Sequence, residues 1–144
     1  MKNLDPADPR YTLGHATIDR THAEFIELVK RTIEADGTAF PALFDALYAH
    51  TREHFAAEEA LMVKNAAPAT QEHCTEHGRI LADMRRFNER ILADMRRFNE
   101  RILAGRPMMA RAWLRDTLPD WFALHTTTLD SVLAAHLHRL QAGQ

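Results

Sequence analysis

The sequence has too few cysteines for an internal disulfide and too little net charge for a nucleic-acid-binding protein. Cys74 is the single cysteine in a chain of 144 residues, which suits a reducing compartment. Lysine and arginine are interleaved with aspartate and glutamate, and the formal net charge is −2. Such a surface lacks the positive patch that attracts phosphate backbones. We therefore expect no nucleic-acid partner.

Long apolar segments are also missing. The chain contains no run of 18 apolar residues, and its first residues, MKNLDPADPR, lack the apolar core of a signal peptide. These absences predict a soluble, cytoplasmic protein with no membrane partner. The length fits a single domain, residues 1–144, which can bury a core without disulfide staples.

The pattern of apolar residues predicts helices and no strands. Alternation with period two is never sustained, whereas helical spacing recurs along the chain. After an arm of about residues 1–16, a first helix precedes Gly37, a candidate C-cap. Pro41 suits the first turn of a second helix, a third begins near Thr70, and Pro119 would kink or break the fourth. The fold class is therefore an all-α, antiparallel up-down four-helix bundle with an N-terminal arm.

One segment of eleven residues, ILADMRRFNER, occurs twice without change in residues 80–101. The period is too short and the copies too few for a solenoid. Because eleven residues make close to three helical turns, a second copy lengthens a helix and keeps its face. We expect an elongated third helix from Thr70 to Ala104, with looping out of one copy as the competing outcome. Unless the segment MMARAWLRDT rises beside this extension as the first half of the fourth helix, its apolar stripe would be exposed and would favour a homo-oligomer. The stripe consists of Ile80, Met84, Phe87, Ile91, Met95, Phe98 and Ile102.

Histidine is common, with nine residues, and several are spaced to share a helix face. Residues four apart point in one direction from a helix, and a residue five apart lies one place further round. Three such pairs occur, one on each successive helix. They are His54 and Glu58 in HFAAE, His73 and His77 in HCTEH, and His125 and Asp130 in HTTTLD.

A single pair of this kind is usually a solvated helix face. Three pairs on successive helices, together with His22 in the apolar stretch of the first, predict a polar cluster inside the bundle. Burying these groups is costly unless a cation satisfies them. Nitrogen and oxygen donors suit iron, and bundle cores build dinuclear sites from facing helices.

The order IDRTHAEF, HFAAEEALM, HCTEH and WFALHTTTLD resembles the hemerythrins, specifically the bacterial single-domain and HHE-type members. The resemblance implies a non-haem di-iron protein that binds dioxygen reversibly for carriage, storage or sensing, and that is not an enzyme. Dioxygen would bind as peroxide at the iron that has only two histidines. The implied ligands are His73, His77 and His125 on one iron, His22 and His54 on the other, and Glu58, Asp130 and an oxo or hydroxo group as bridges.

Reversible binding would need an apolar pocket that excludes water. Candidate walls close to the ligands in sequence are Phe25, Phe55, Trp121 and Phe122. Isoleucine often follows the last histidine in the family, whereas three threonines stand there in this chain. We take Thr127 as a hydroxyl that faces the pocket and favours autoxidation. In the alternative, all three hydroxyls bond to carbonyls of the preceding turn.

Two alternative functions remain open from the sequence. One is a di-iron enzyme acting on peroxide, nitric oxide or ferrous iron, and the other is a bundle that binds zinc. A ferritin-like oxidase is disfavoured because its carboxylate-rich site uses a Glu-x-x-His spacing that this chain lacks. Glu59 is either a partner of a ligand histidine or a surface carboxylate. We interpret Cys74 as a packing residue and the remaining histidines, His15, His50, His136 and His138, as structural or solvated.

Overall fold

The computed structural model of the protein describes residues 4–97 and 108–143. Within those ranges it contains four helices and no strand, and short connections reverse the chain between the first three. Helix α1 packs on α2, and α2 packs on α3, in the predicted antiparallel four-helix bundle. None of the helices in the described ranges is long and apolar enough to cross a bilayer. The helices are α1 (Ala16–Glu34), α2 (Phe40–Lys64), α3 (Thr70–Arg97) and α4 (108–142), and α4 includes two π-helical turns, Trp113–Thr117 and Thr126–Asp130.

The ends of the first two helices follow from local hydrogen bonds. Helix α1 begins where the His15 ring accepts a hydrogen bond from the backbone N–H of Ile18, at 3.3 Å. The helix ends before Gly37 is reached, so the prediction of a glycine C-cap was wrong. Asp36 organises the following turn by accepting two backbone N–H groups. Pro41 occupies the first turn of α2, as predicted.

Helix α3 runs through the whole first copy of the repeated segment and into the second. The described part ends at Arg97, so the predicted end at Ala104 lies outside the described residues. Up to residue 97, neither copy loops out. Ile80 and Ile91 are buried, whereas Met95 is 47 % exposed. The apolar stripe is therefore covered as far as Ile91 and partly exposed at Met95.

Helix α4 continues through Pro119 without a break. Immediately before it, in the π-helical turn Trp113–Thr117, the N–H of Leu118 donates to the carbonyl of Trp113, five residues earlier. A proline in an α-helix lacks one N–H and clashes with the carbonyl four residues earlier. The wider turn relieves this conflict. A widened turn thus takes the place of the predicted kink or break.

Two apolar clusters form the core, and they leave a polar zone between them. The larger includes residues of the arm and of all four helices, and the smaller lies toward the N-terminal end of α1. In the arm, Leu4 and Tyr11 are buried in the larger cluster. The Asp19 carboxylate ties the arm to α1 by accepting the N–H groups of Leu13 (2.7 Å) and Gly14 (3.1 Å). The arm is therefore part of the folded core.

Candidate metal centre

Seven polar side chains meet inside the bundle, and every helix supplies at least one of them. Each is buried, with at most 7 % of its surface exposed. The structure thus brings together all seven candidates from the sequence. They are His22 from α1, His54 and Glu58 from α2, His73 and His77 from α3, and His125 and Asp130 from α4.

The carboxylate of Glu58 lies between two groups of histidines. Its Oε1 is 3.2 Å from Nε2 of His73 and 3.4 Å from Nε2 of His77. Its Oε2 lies beside Nε2 of His54 and 3.9 Å from Nε2 of His22. One oxygen of the same carboxylate therefore faces each group.

The two carboxylate oxygens of Asp130 are also divided between the two groups of histidines. Its Oδ1 is 2.8 Å from Nε2 of His73 and 3.1 Å from Nε2 of His125, whereas its Oδ2 is 3.0 Å from Nε2 of His22. Both carboxylates thus span a group of three histidines and a group of two. Within each of two sets, the donor atoms lie no more than 4.8 Å apart. The sets are Glu58, His73, His77, His125 and Asp130, and His22, His54 and Glu58.

The spacing of five between His125 and Asp130 depends on the second π-helical turn. In a regular α-helix, five residues rotate a side chain about 140° away from the starting face. In the turn Thr126–Asp130, the N–H of Ser131 instead reaches the carbonyl of Thr126, five residues earlier. This widening returns Asp130 to the side of His125. The unusual spacing was the one sequence signal of this turn.

Most donor atoms of the cluster are not satisfied by one another, although Nε2 of His54 hydrogen-bonds with Oε2 of Glu58. Six of them are buried and make no hydrogen bond to any described residue, although the ring nitrogens lie close to carboxylate oxygens. Buried polar groups without partners are costly and rare. A cation placed among them would satisfy them together, so the donor set fits a bound metal. The six atoms are His22 Nε2, Glu58 Oε1, His73 Nε2, His77 Nε2, His125 Nε2 and Asp130 Oδ1.

In the metal-free cluster, the imidazoles and carboxylates lie close enough to change one another's pKa values. Burial would raise the pKa of Glu58, but the imidazoles of His54, His73 and His77 hold it below its ordinary value. The same competition lowers the pKa of Asp130 well below its ordinary value. Burial opposes a charge on His73, yet the two carboxylates raise its pKa to about 9. A metal ion would therefore displace a proton from this cluster when it binds.

A narrow cavity adjoins the cluster. About 200 Å³ lies between its walls, part of it open to solvent, and the space is too narrow for a water molecule. Phe25 and Phe122 stack against each other on one side, with ring centroids 5.0 Å apart. The four aromatic residues proposed as pocket walls all line this cavity. Its lining consists of Phe25, Phe55, Trp121 and Phe122 together with His54, His125 and Asp130.

The three threonines after His125 have different environments. Thr127 is exposed, and its hydroxyl donates to the carbonyl of Ala123 at 2.8 Å. The prediction that Thr127 faces the pocket is therefore wrong. Thr128 donates to the carbonyl of Leu124 in the same way. Thr126 is fully buried, and its hydroxyl has no hydrogen-bond partner among the described residues.

Glu59 and Cys74 lie just outside the cluster. One oxygen of Glu59 is 3.9 Å from Nδ1 of His77. Burial raises the pKa of the Cys74 thiol, and the adjacent Glu59 carboxylate adds to the effect. The half-buried Cys74 packs against the smaller apolar cluster, as predicted.

The remaining four histidines belong to neither set of donor atoms. His15 caps α1, and His50 lies 3.5 Å from the Glu24 carboxylate. His136 bonds to the carbonyl of Asn65 at 2.7 Å, and His138 is exposed. These are the structural or solvated roles that the sequence predicted for them.

Two residues that no sequence pattern singled out also adjoin the site. Tyr11 of the arm packs on Phe122, with ring centroids 5.0 Å apart. Glu76 of α3 accepts a hydrogen bond from the indole N–H of Trp121 at 3.4 Å. The position of Glu76 between two candidate ligands in HCTEH was the available signal, whereas the arm offered none.

A bundle with this buried cluster is a hemerythrin-like fold, and the chain belongs to that family, since the model for the Hemerythrin HHE cation binding domain matches residues 13–137. The chain is also 31 % identical over 125 residues to Bacteriohemerythrin of Ralstonia nicotianae. That match covers 87 % of this chain and 82 % of the relative. No solved structure matches the chain at a significant level. The family that the motifs resembled is thereby confirmed, and the protein is a metal-binding, hemerythrin-like protein.

Proposed function

We propose that this protein holds two iron ions and binds dioxygen reversibly. One observation carries the proposal: Glu58 and Asp130 each direct one carboxylate oxygen toward the group of three histidines and the other toward the group of two. A carboxylate in that position can bridge two metal ions. One ion would leave the second group of buried histidines unsatisfied.

The numbers of donors favour iron over zinc. Structural zinc sites are closed by four donors in a tetrahedron. The three-histidine set offers five donors, counting both carboxylates, and imidazole with carboxylate suits iron. If Glu58 and Asp130 are shared, the other ion has only four protein donors, namely the two carboxylates with His22 and His54. An ion held there would have fewer protein donors than the first, which would leave room for an added ligand such as dioxygen.

The surroundings favour reversible binding over turnover. Held by these residues, an iron(II) pair would supply reversible two-electron chemistry toward dioxygen. The aromatic cavity reaches His54, one of the two histidines that would hold the ion with fewer donors. Its walls exclude water, and a dry site limits loss of bound ligand by protonation. These side chains keep water away from His54, and none of them is required to react.

An optical experiment tests this proposal. We expect purified protein to contain two irons per chain and, after anaerobic reduction, to develop a visible charge-transfer band in air. The band should vanish when dioxygen is removed and return when it is added. Immediate conversion to the oxidised spectrum would favour the di-iron enzyme, and zinc in place of iron would contradict the proposal. His138→Ala serves as a control because His138 is exposed and outside the cluster.

A further inference from the structure

The five histidines of the cluster all direct Nε2 toward the carboxylates, which leaves Nδ1 on the outer side of each ring. In metal sites, the outer nitrogen usually donates to a carboxylate or carbonyl, and this bond fixes the ring. Nδ1 of His125 is buried and has no hydrogen-bond partner among the residues that the structure describes, and the same is true of Nδ1 of His22, His54 and His77. Without such a bond, packing contacts set the orientation of this ring.

Trp121 supplies a flat surface against His125. The two rings stack with centroids 4.4 Å apart and planes 21° apart. Trp121 precedes His125 by four residues, so both project from one face of α4. Since a stacked indole blocks rotation of the imidazole out of its plane, the contact can replace the missing hydrogen bond.

Contacts with two other helices hold Trp121 in place. Its indole N–H donates to Oε2 of Glu76 on α3 at 3.4 Å. The edge of its ring meets Phe55 of α2, with centroids 6.1 Å apart and planes at 61°. Phe55 in turn lies parallel to the ring of His77, at 3.8 Å and 3°. Trp121 is therefore part of a stacked group that joins two histidines of the same set.

We infer that Trp121, anchored by Glu76, is a positioning residue that fixes the ring of His125 and slows the release of a metal ion from the three-histidine set. The inference rests on the proposed function only in requiring that this set binds a metal. It assigns Trp121 a role in retaining metal that is separate from lining the cavity. The role requires a flat ring at position 121, whereas cavity lining requires only an apolar side chain.

The test compares variants loaded with cobalt(II) alone. For Trp121→Leu we expect release into a chelator to be about tenfold faster, the lower range for loss of a supporting contact around a metal ligand. The visible cobalt bands should also shift, because the geometry at His125 changes. Trp121→Phe keeps a flat ring, so its release rate and cobalt bands should be close to those of the wild type. Far-UV circular dichroism and the unfolding midpoint will show that the variants are folded.

Trp113 offers a matched control. It is half-buried in the same helix but packs on Phe87, away from the cluster. Trp113→Leu should lower the unfolding midpoint and leave both the cobalt bands and the release rate unchanged. Glu76→Gln keeps an acceptor oxygen and should resemble the wild type, whereas Glu76→Ala should release cobalt faster.

The outcomes separate this inference from the proposed function. Wild-type release and unshifted bands in Trp121→Leu would overturn the inference alone. Equal effects of Trp113→Leu and Trp121→Leu would also overturn it, since both would then act through general stability. Failure of the wild-type protein to take up cobalt would overturn the proposed function and this inference together.

Discussion

Nε2 of His125 and Oδ1 of Asp130 lie 3.1 Å apart, although the two residues are separated by five positions in one helix. The π-helical turn Thr126–Asp130 makes this contact possible. The geometry of the candidate site thus depends on a local departure from the α-helix, and that departure can be tested by moving the carboxylate.

The swap Leu129→Asp with Asp130→Leu places the acid four residues after His125. That spacing would serve in a regular α-helix, but the widened turn directs position 129 elsewhere. We expect the double variant to bind as little iron per chain as Asp130→Leu alone, measured by elemental analysis. Full iron content in the double variant would show that the π-helical turn is not needed.

Removing a histidine of the cluster should cost both iron and stability. In His125→Ala we expect loss of iron and a drop of about 1–3 kcal/mol in the free energy of unfolding, because Asp130 loses a buried partner. His138→Ala should keep two irons, whereas His136→Ala should keep them at a cost of about 1 kcal/mol for its bond to Asn65. Denaturant unfolding and iron analysis will check these outcomes. Two irons in His125→Ala would contradict the ligand assignment.

The stability of the metal-free protein should depend on pH through His73. Its pKa of about 9 exceeds the ordinary value of 6.5, so the folded state holds this proton more tightly than the unfolded chain. The resulting stabilisation is fully present below pH 6.5 and is lost as pH rises through 9. Glu58 and Asp130 have lowered pKa values, so they stabilise the folded state above the ordinary carboxylate pKa. That stabilisation is lost as pH falls.

We therefore expect the thermal midpoint of the metal-free protein to decline between pH 6.5 and 9. His73→Gln should reduce that decline, because the proton is then absent at every pH, and His22, whose pKa the Asp130 carboxylate also raises despite burial, should account for the rest. A level midpoint for the wild type across this range would show that His73 carries no tightly held proton.

Thr126 and Thr127 form a matched pair for testing the buried hydroxyl. Thr126→Val keeps the shape and removes an unsatisfied group, so we expect a gain of about 1 kcal/mol in the free energy of unfolding. Thr127→Val acts on an exposed side chain and should change stability by less than about 0.5 kcal/mol. Thr127→Leu should leave the autoxidation rate unchanged. Destabilisation by Thr126→Val would mean that its hydroxyl has a partner, such as a buried water.

Deleting residues 91–101 tests the repeated segment. All seven members of the cluster lie outside residues 80–101, so iron content and optical spectrum should not change. Because Met95 is 47 % exposed, we expect the wild type to associate through this stripe and the shortened chain to form a smaller assembly. Light scattering measures the change. An unaltered assembly would refute the association, and loss of iron would refute the independence of the repeat.

The bundle and its polar centre were predictable because both obey the period of the α-helix. His54 with Glu58, and His73 with His77, share a helix face at a spacing of four, and the structure brings them together. Apolar spacing likewise placed the first three helices. A single periodic rule therefore accounts for the fold class and for most of the cluster.

The remaining features arise where that rule fails or where contacts join distant segments. A regular helix turns Thr127 about 200° away from His125, so its exposure agrees with the helical period, whereas the return of Asp130 to the side of His125 needs the π-helical turn. The pairing of Trp121 with Glu76 joins two helices, and the packing of Tyr11 on Phe122 joins the arm to α4. No local pattern encodes such contacts, because they depend on how the helices meet.

Each of the four helices contributes a donor to the centre, and His22 and Asp130 enclose most of the chain between them. A metal pair bound there would cross-link the chain into a closed loop from His22 to Asp130. Pulling the two ends apart would load the metal–ligand bonds directly, and the intervening helices would remain slack until one of those bonds broke. In such a molecule the resistance to force would be set by ligand exchange at the centre more than by the packing of the surrounding helices.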